Sequence, residues 1–131
     1  MRTEDEKADV TRGAAYQLAA DAKKINPDLT LDMLWWSEPK WVSDASDVYA
    51  ARYKWYKNTL DAAYETYGLE FDYVSAVQNE RGADLEWVKY LSSHLKSEKG
   101  TPYDYSKIKI VGGEESAHGA LLTECMRTAN L

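Results

Sequence analysis

The sequence predicts an α/β protein built from parallel βα units, and three observations carry that prediction. Apolar runs rich in β-formers end near Leu34, Val77 and Val111. Helical patterns long enough for crossovers separate them, and such alternation gives a parallel sheet. Right-handed crossovers then bring the three post-strand loops to one edge. Three strands are too few to close a barrel, which takes eight βα units and about 250 residues. Left open, they would expose apolar strands at both edges, an aggregation hazard. The 131 residues therefore read as one unit, residues 1–131, an internal slice of a larger (β/α)8 (TIM) barrel.

Each element has a local reason. Thr3–Lys24 is a predicted helix, with a capping-box pair in Thr3 and Glu6. Val10, Ala14, Leu18 and Ala22 recur at helical spacing, and Lys23 and Lys24 suit the negative end of the dipole. Asn26-Pro27-Asp28 is a turn. Leu29–Trp35 follows as a buried strand, near-continuously apolar as parallel strands are. In Trp36-Ser37-Glu38-Pro39-Lys40-Trp41, Pro39 ends regular structure. Ser46–Tyr67 is a second helix, with Ser46 as N-cap, an inner face of Val48, Ala51, Trp55, Ala62 and Ala63, and Gly68 as C-cap. Phe71–Val77 is the next strand. Asp84–Ser97 is a third helix with Leu85, Val88, Leu91 and Leu95 inward and His94 on the surface. Lys107–Val111 is the third strand, Gly112-Gly113-Glu114-Glu115 lies at its end, and Ser116–Asn130 is a last helix.

Composition excludes several functions. A net charge of −6 argues against nucleic acid, because phosphate binding needs clustered Lys and Arg. No run is long enough to span a bilayer and no signal-peptide pattern is present, so the chain as given is expected to be soluble. The lone Cys125 rules out an internal disulfide. His94 and His118 lie far apart without Cys neighbours at ligand spacing, so no metal site is expected. No cofactor is implied either. Five Trp and ten Tyr stand against a single Phe. Such residues line sugar-binding clefts, but they also cover sheets as amphipathic core, which is the commoner use.

Two stretches carry candidate chemistry. In Phe71–Gly82 a strand stops at Gln78-Asn79-Glu80-Arg81, and in parallel α/β proteins ligand sites form at the carboxyl ends of strands. Asn79 and Glu80 would offer an amide and a carboxylate there, although most acids after a strand are solvated loop residues. The tryptophan loop offers Trp36 either as a stacking platform for a ring or as packing beneath the loop. Gly112-Gly113 is weak evidence for phosphate binding, and the following acids argue against an anion.

Ala22–Leu31 (AKKINPDLTL), then Trp36-Ser37-Glu38-Pro39-Lys40-Trp41, then Phe71–Val74 leading to Gln78-Asn79-Glu80-Arg81, resembles glycoside hydrolase family 59, the galactosylceramidase family. The likeness runs in order from about Ala22 to Val111. The Asn-Glu element is shared across the clan of (β/α)8 glycosidases. The tryptophan loop and the Asn-Pro lead-in narrow it, with family 30 glucosylceramidase-like and xylanase enzymes as the near alternative. The resemblance implies strands three to five of a barrel, with Glu80 as general acid/base, Asn79 on the sugar 2-hydroxyl and Trp36 lining a galactose pocket. It implies a retaining mechanism whose glutamate nucleophile lies outside this chain, so the isolated chain is expected to be inactive. Glu114 and Glu115 match no catalytic position. The expected partner is a carbohydrate or glycolipid, and the parent is expected to be secreted or lysosomal. A non-catalytic carbohydrate-binding α/β domain is the rival from another class.

Overall fold

A computed structural model describes residues 1–76 and 84–112. Expectations for Asn79, Glu80, Glu114, Glu115, His118, Cys125 and the Ser116–Asn130 helix lie outside the described residues. In chain order the elements are α1 (Ala14–Ile25), β1 (Asp32–Met33), α2 (Lys40–Ser43), α3 (Val48–Tyr67), β2 (Tyr73–Ser75), α4 (Leu85–Ser97) and β3 (Lys109–Val111). Single 3-10 turns occupy Val10–Arg12 and Tyr105–Lys107.

The sheet has the order β1-β2-β3, and both pairings are parallel. Asp32 and Met33 face Tyr73 and Val74, while Tyr73, Val74 and Ser75 face Lys109, Ile110 and Val111. The parallel α/β order expected from the apolar runs is therefore present.

The strands are shorter than those runs. Leu29–Trp35 contracts to Asp32–Met33, because β1 pairs only with β2 among the described residues. Leu34 is 40% exposed, so that run is not buried on both faces. Lys107–Val111 starts late because Asp104 caps the 3-10 turn before it, accepting from the Ser106 N–H at 3.1 Å.

The first helix begins at Ala14 rather than Thr3. Asp9 is the reason. Its carboxylate accepts from the Thr11 N–H at 3.0 Å and the Thr11 hydroxyl at 2.6 Å, which holds Val10–Arg12 in a 3-10 turn. The Thr3–Glu6 capping box does not form. Glu6 instead accepts from the Arg12 guanidinium and the Arg2 N–H, and these hold its carboxyl down at about 2. Ala14 and Leu18 face solvent, Leu18 at 70% exposure; Ala20 is buried while Tyr16 and Ala19 pack against the core.

Asp47, not Ser46, caps α3, accepting from the Ala50 N–H at 3.0 Å. The buried face of α3 is Ala51, Tyr53, Tyr56, Leu60, Ala62 and Ala63; the expected Val48 and Trp55 are only half-buried. On α4 the buried residues are Trp87, Leu91 and Leu95, with Leu85 and Val88 half-buried. Leu60, Leu91 and Val74 are fully buried at the junction of α3, α4 and β2, and each such side chain contributes about 1.5–3 kcal/mol. Among the described residues no helix is long and apolar enough to cross a membrane.

Gly68 closes α3 as expected. At φ +68° it donates to the Tyr64 carbonyl at 2.8 Å, and Leu69 donates to the Ala63 carbonyl at 3.4 Å. A Cβ there would touch nothing within 4 Å, so an alanine would cost backbone strain alone. Gly68→Ala is expected to lower stability by about 1 kcal/mol. Gly13→Ala, at φ −132° and equally open, is expected to cost less. Urea midpoints for both variants check this ordering.

Candidate functional site

Parallel pairing sends Met33, Ser75 and Val111 toward the same edge of the sheet. Trp36 lies three residues past β1 on that edge and is 66% exposed. Trp35 and Trp41 beside it are half-buried, and Trp35 packs edge-on against Trp55 at 5.9 Å. Of the two tryptophans that frame the loop, Trp41 is half-buried and Trp36 is exposed.

The end of β2 is held from both sides. The Tyr56 hydroxyl on α3 donates to the Ser75 carbonyl, and the Trp87 indole on α4 donates to the Ala76 carbonyl at 2.8 Å. Burial pushes the Tyr56 hydroxyl far above its ordinary pKa, so it stays a donor at any working pH. The Ser75 hydroxyl donates to Asp32 on β1 at 3.1 Å. Eight residues after Ala76, past Asn79 and Glu80 in sequence, Asp84 is fixed as well. One of its oxygens accepts from the Glu86 and Trp87 N–H groups at 3.1 and 3.2 Å, and the other from the Tyr49 hydroxyl at 2.6 Å. Burial pushes the Asp84 carboxyl up, but those donors outweigh it and hold the carboxyl below its ordinary value. Both residues flanking 77–83, Ala76 and Asp84, are therefore anchored to the packed face of α3 and α4.

Arg52 on α3 joins these features. Its guanidinium grips Glu38 in the tryptophan loop with two bonds, 2.6 Å from Nε and 3.2 Å from Nη2. It also lies over the Trp87 ring at 5.0 Å and the Trp35 ring at 5.7 Å, within cation–π range. A cavity of about 180 Å³ runs beside β1 between Val10, Met33, Trp35, Trp55 and Tyr56. His94, expected on the surface, is half-buried and stacks on Tyr90 at 3.9 Å. Among the described residues no cluster of His, Cys, Asp or Glu could hold a metal ion.

Trp36 was a candidate from its place after a strand, whereas the side chains that brace this edge were not anticipated from the sequence. Trp87, Leu91 and Leu95 share the i, i+4, i+8 spacing of one helix face, so that pattern could have shown Trp87. No local spacing connects Glu38 to Arg52.

The described residues define an α/β protein whose parallel strands deliver an exposed indole and a braced strand end to one edge, the arrangement in which such folds carry their ligand sites. The chain belongs to glycosyl hydrolase family 59, whose family model matches residues 1–131. A relative, galactocerebrosidase of Macaca mulatta, is 30% identical over 120 residues. That match covers 86% of this chain and 17% of the relative, so the chain spans about a sixth of the relative's length.

The anchoring of Asp84 makes a pH-dependent prediction. Asp84→Ala is expected to cost about 1–2 kcal/mol at pH 7, the usual loss for a helix cap. Its folded pKa is lowered, so the contribution is complete above the ordinary carboxylate value of about 4 and is lost as pH falls through the folded value. Urea unfolding from pH 7 to pH 2 should show the gap between the two proteins closing below about pH 4. A gap constant with pH would exclude the charged carboxylate as its source.

Proposed function

We propose that this chain is part of the (β/α)8 catalytic barrel of a retaining β-glycosidase acting on terminal β-galactosides, and that it carries the acid/base side of the site. The observation that carries the proposal is the family match along the whole chain, together with the parallel edge that presents Trp36 and the anchored Ala76 on which the Asn79–Glu80 segment follows. The family supports a glycosidase, and the galactocerebrosidase relative supports a galactoside as substrate.

Glu80 is the general acid/base. A retaining enzyme needs two carboxyls about 5–5.5 Å apart, one protonated and one ionised. Glu80 donates its proton to the glycosidic oxygen as the bond to the aglycone breaks. The nucleophile, a glutamate outside this chain, meanwhile forms the covalent glycosyl-enzyme. Glu80 then takes a proton from the water that releases the sugar. Partial burial would keep its carboxyl protonated for the first step. Asn79 donates to the sugar 2-hydroxyl, a contact that strengthens in the transition state. Trp36 stacks against the apolar face of the sugar, and its exposure suits that role. The chain alone, with one of the two carboxyls, is expected to hydrolyse nothing.

Glu80→Gln in the full-length polypeptide is expected to lower kcat/KM for an unactivated β-galactoside by about 10²–10⁴-fold. An aryl galactoside with a good leaving group should still form the glycosyl-enzyme, and added azide should release β-galactosyl azide. Full activity of Glu80→Gln, or no azide product, would remove Glu80 from this role. Turnover by residues 1–131 alone would refute the division of the carboxyls.

A further inference from the structure

Glu38 and Arg52 form an unusual pair for a loop and a helix. Their side chains are only 17% and 14% exposed, and fourteen residues separate them in sequence. The bond is bidentate, so it fixes the direction of the Glu38 carboxylate as well as its distance. Glu38 stands two residues after Trp36 and directly before Pro39, whose φ of −61° stiffens the chain into α2. The guanidinium carbon lies over the ring of Trp87, the residue whose indole nitrogen holds the Ala76 carbonyl. One planar cation thus touches the loop after β1 and the side chain that anchors the end of β2. Lysine could supply the charge, but neither the fork nor the stacking plane.

We propose that Arg52 is a positioning residue, which through Glu38 and Trp87 sets where the Trp36 indole stands relative to the end of β2 and so tunes sugar binding. The proposal rests on Trp36 being a sugar-stacking residue. Arg52 does not touch the substrate; it acts through Trp36. Its loss therefore weakens ground-state and transition-state binding alike, and the change falls on KM rather than kcat.

The experiment is a double-mutant cycle in the full-length polypeptide, with a β-galactoside as substrate. Arg52→Lys and Glu38→Gln, with folding of each variant checked by its melting temperature, are each combined with Trp36→Ala. The expected result for either single change is a rise in KM of about tenfold with kcat altered by less than about threefold. In the Trp36→Ala background the same changes should add nothing, because the indole they position is gone. A lowered melting temperature with unchanged KM would overturn the proposal and leave the pair merely structural. Equal rises in KM with and without Trp36 would overturn it too. Failure of the underlying function shows separately: Trp36→Ala alone would then leave KM unchanged.

Discussion

The central strand β2, Tyr73–Ser75, pairs in parallel with a neighbour on each side, which fixes its register twice over. A one-residue slip in a strand would turn every side chain to the wrong face, and here it would also break the bonds beyond the ladder. Asp72 receives the Leu31 N–H at 2.9 Å, while its own N–H and that of Tyr73 reach the Leu31 carbonyl at 3.1 and 3.0 Å. The Lys109 N–H reaches the Asp72 carbonyl at 2.9 Å. At the other end the Ala76 N–H donates to the Val111 carbonyl at 2.9 Å. Three paired residues are a short strand, but these flanking bonds extend the constraint past both ends. The edge that carries Trp36 inherits its position from that register.

The aromatic composition follows from the same constraint. Each helix that covers a parallel strand must cross apolar core and also meet polar backbone at strand ends. Phe can only do the first. Tyr and Trp do both, with an apolar body and a polar tip. Tyr56 and Trp87 are 1% exposed and still place a donor on the Ser75 and Ala76 carbonyls. Tyr53 reaches Glu98 at 2.7 Å and Tyr49 reaches Asp84 at 2.6 Å. Tyr103, pushed up to about 12 by burial, accepts from the Phe71 N–H at 3.1 Å. Most of the Tyr and Trp side chains lie in or against the core, several of them as struts, and Trp36 stands apart from them by exposure rather than by residue type.

The parallel order was legible because the strands lie within apolar runs that have helical patterns between them. The Gly68 cap was legible because the αL position at a helix end favours glycine. Element ends were harder. The Asp9 side chain competes for the backbone and turns Val10–Arg12 out of a helix that periodicity alone would continue to Thr3. Leu18 fits the helical spacing yet is exposed, because the helix rolls to bury Tyr16 and Ala20. The Trp36 indole was suggested by its place after a strand, whereas the Glu38–Arg52 contact is tertiary and leaves no trace in local spacing. The roles proposed for Asn79 and Glu80 rest on family likeness alone, because both lie outside the described residues.

Where a sugar sits relative to β1 and β2 decides whether this edge is the glycosidase site. The direct measurement is a crystal structure of the full-length polypeptide after reaction with a 2-fluoro-β-galactosyl fluoride, which traps the glycosyl-enzyme. The predicted result is a sugar bonded to a glutamate outside residues 1–131, at the edge where β1 and β2 end. Its ring should lie against Trp36, with Glu80 facing the anomeric carbon and Asn79 on the side of position 2. A sugar bonded to Glu80 itself, or one held at the opposite ends of the strands, would contradict the account.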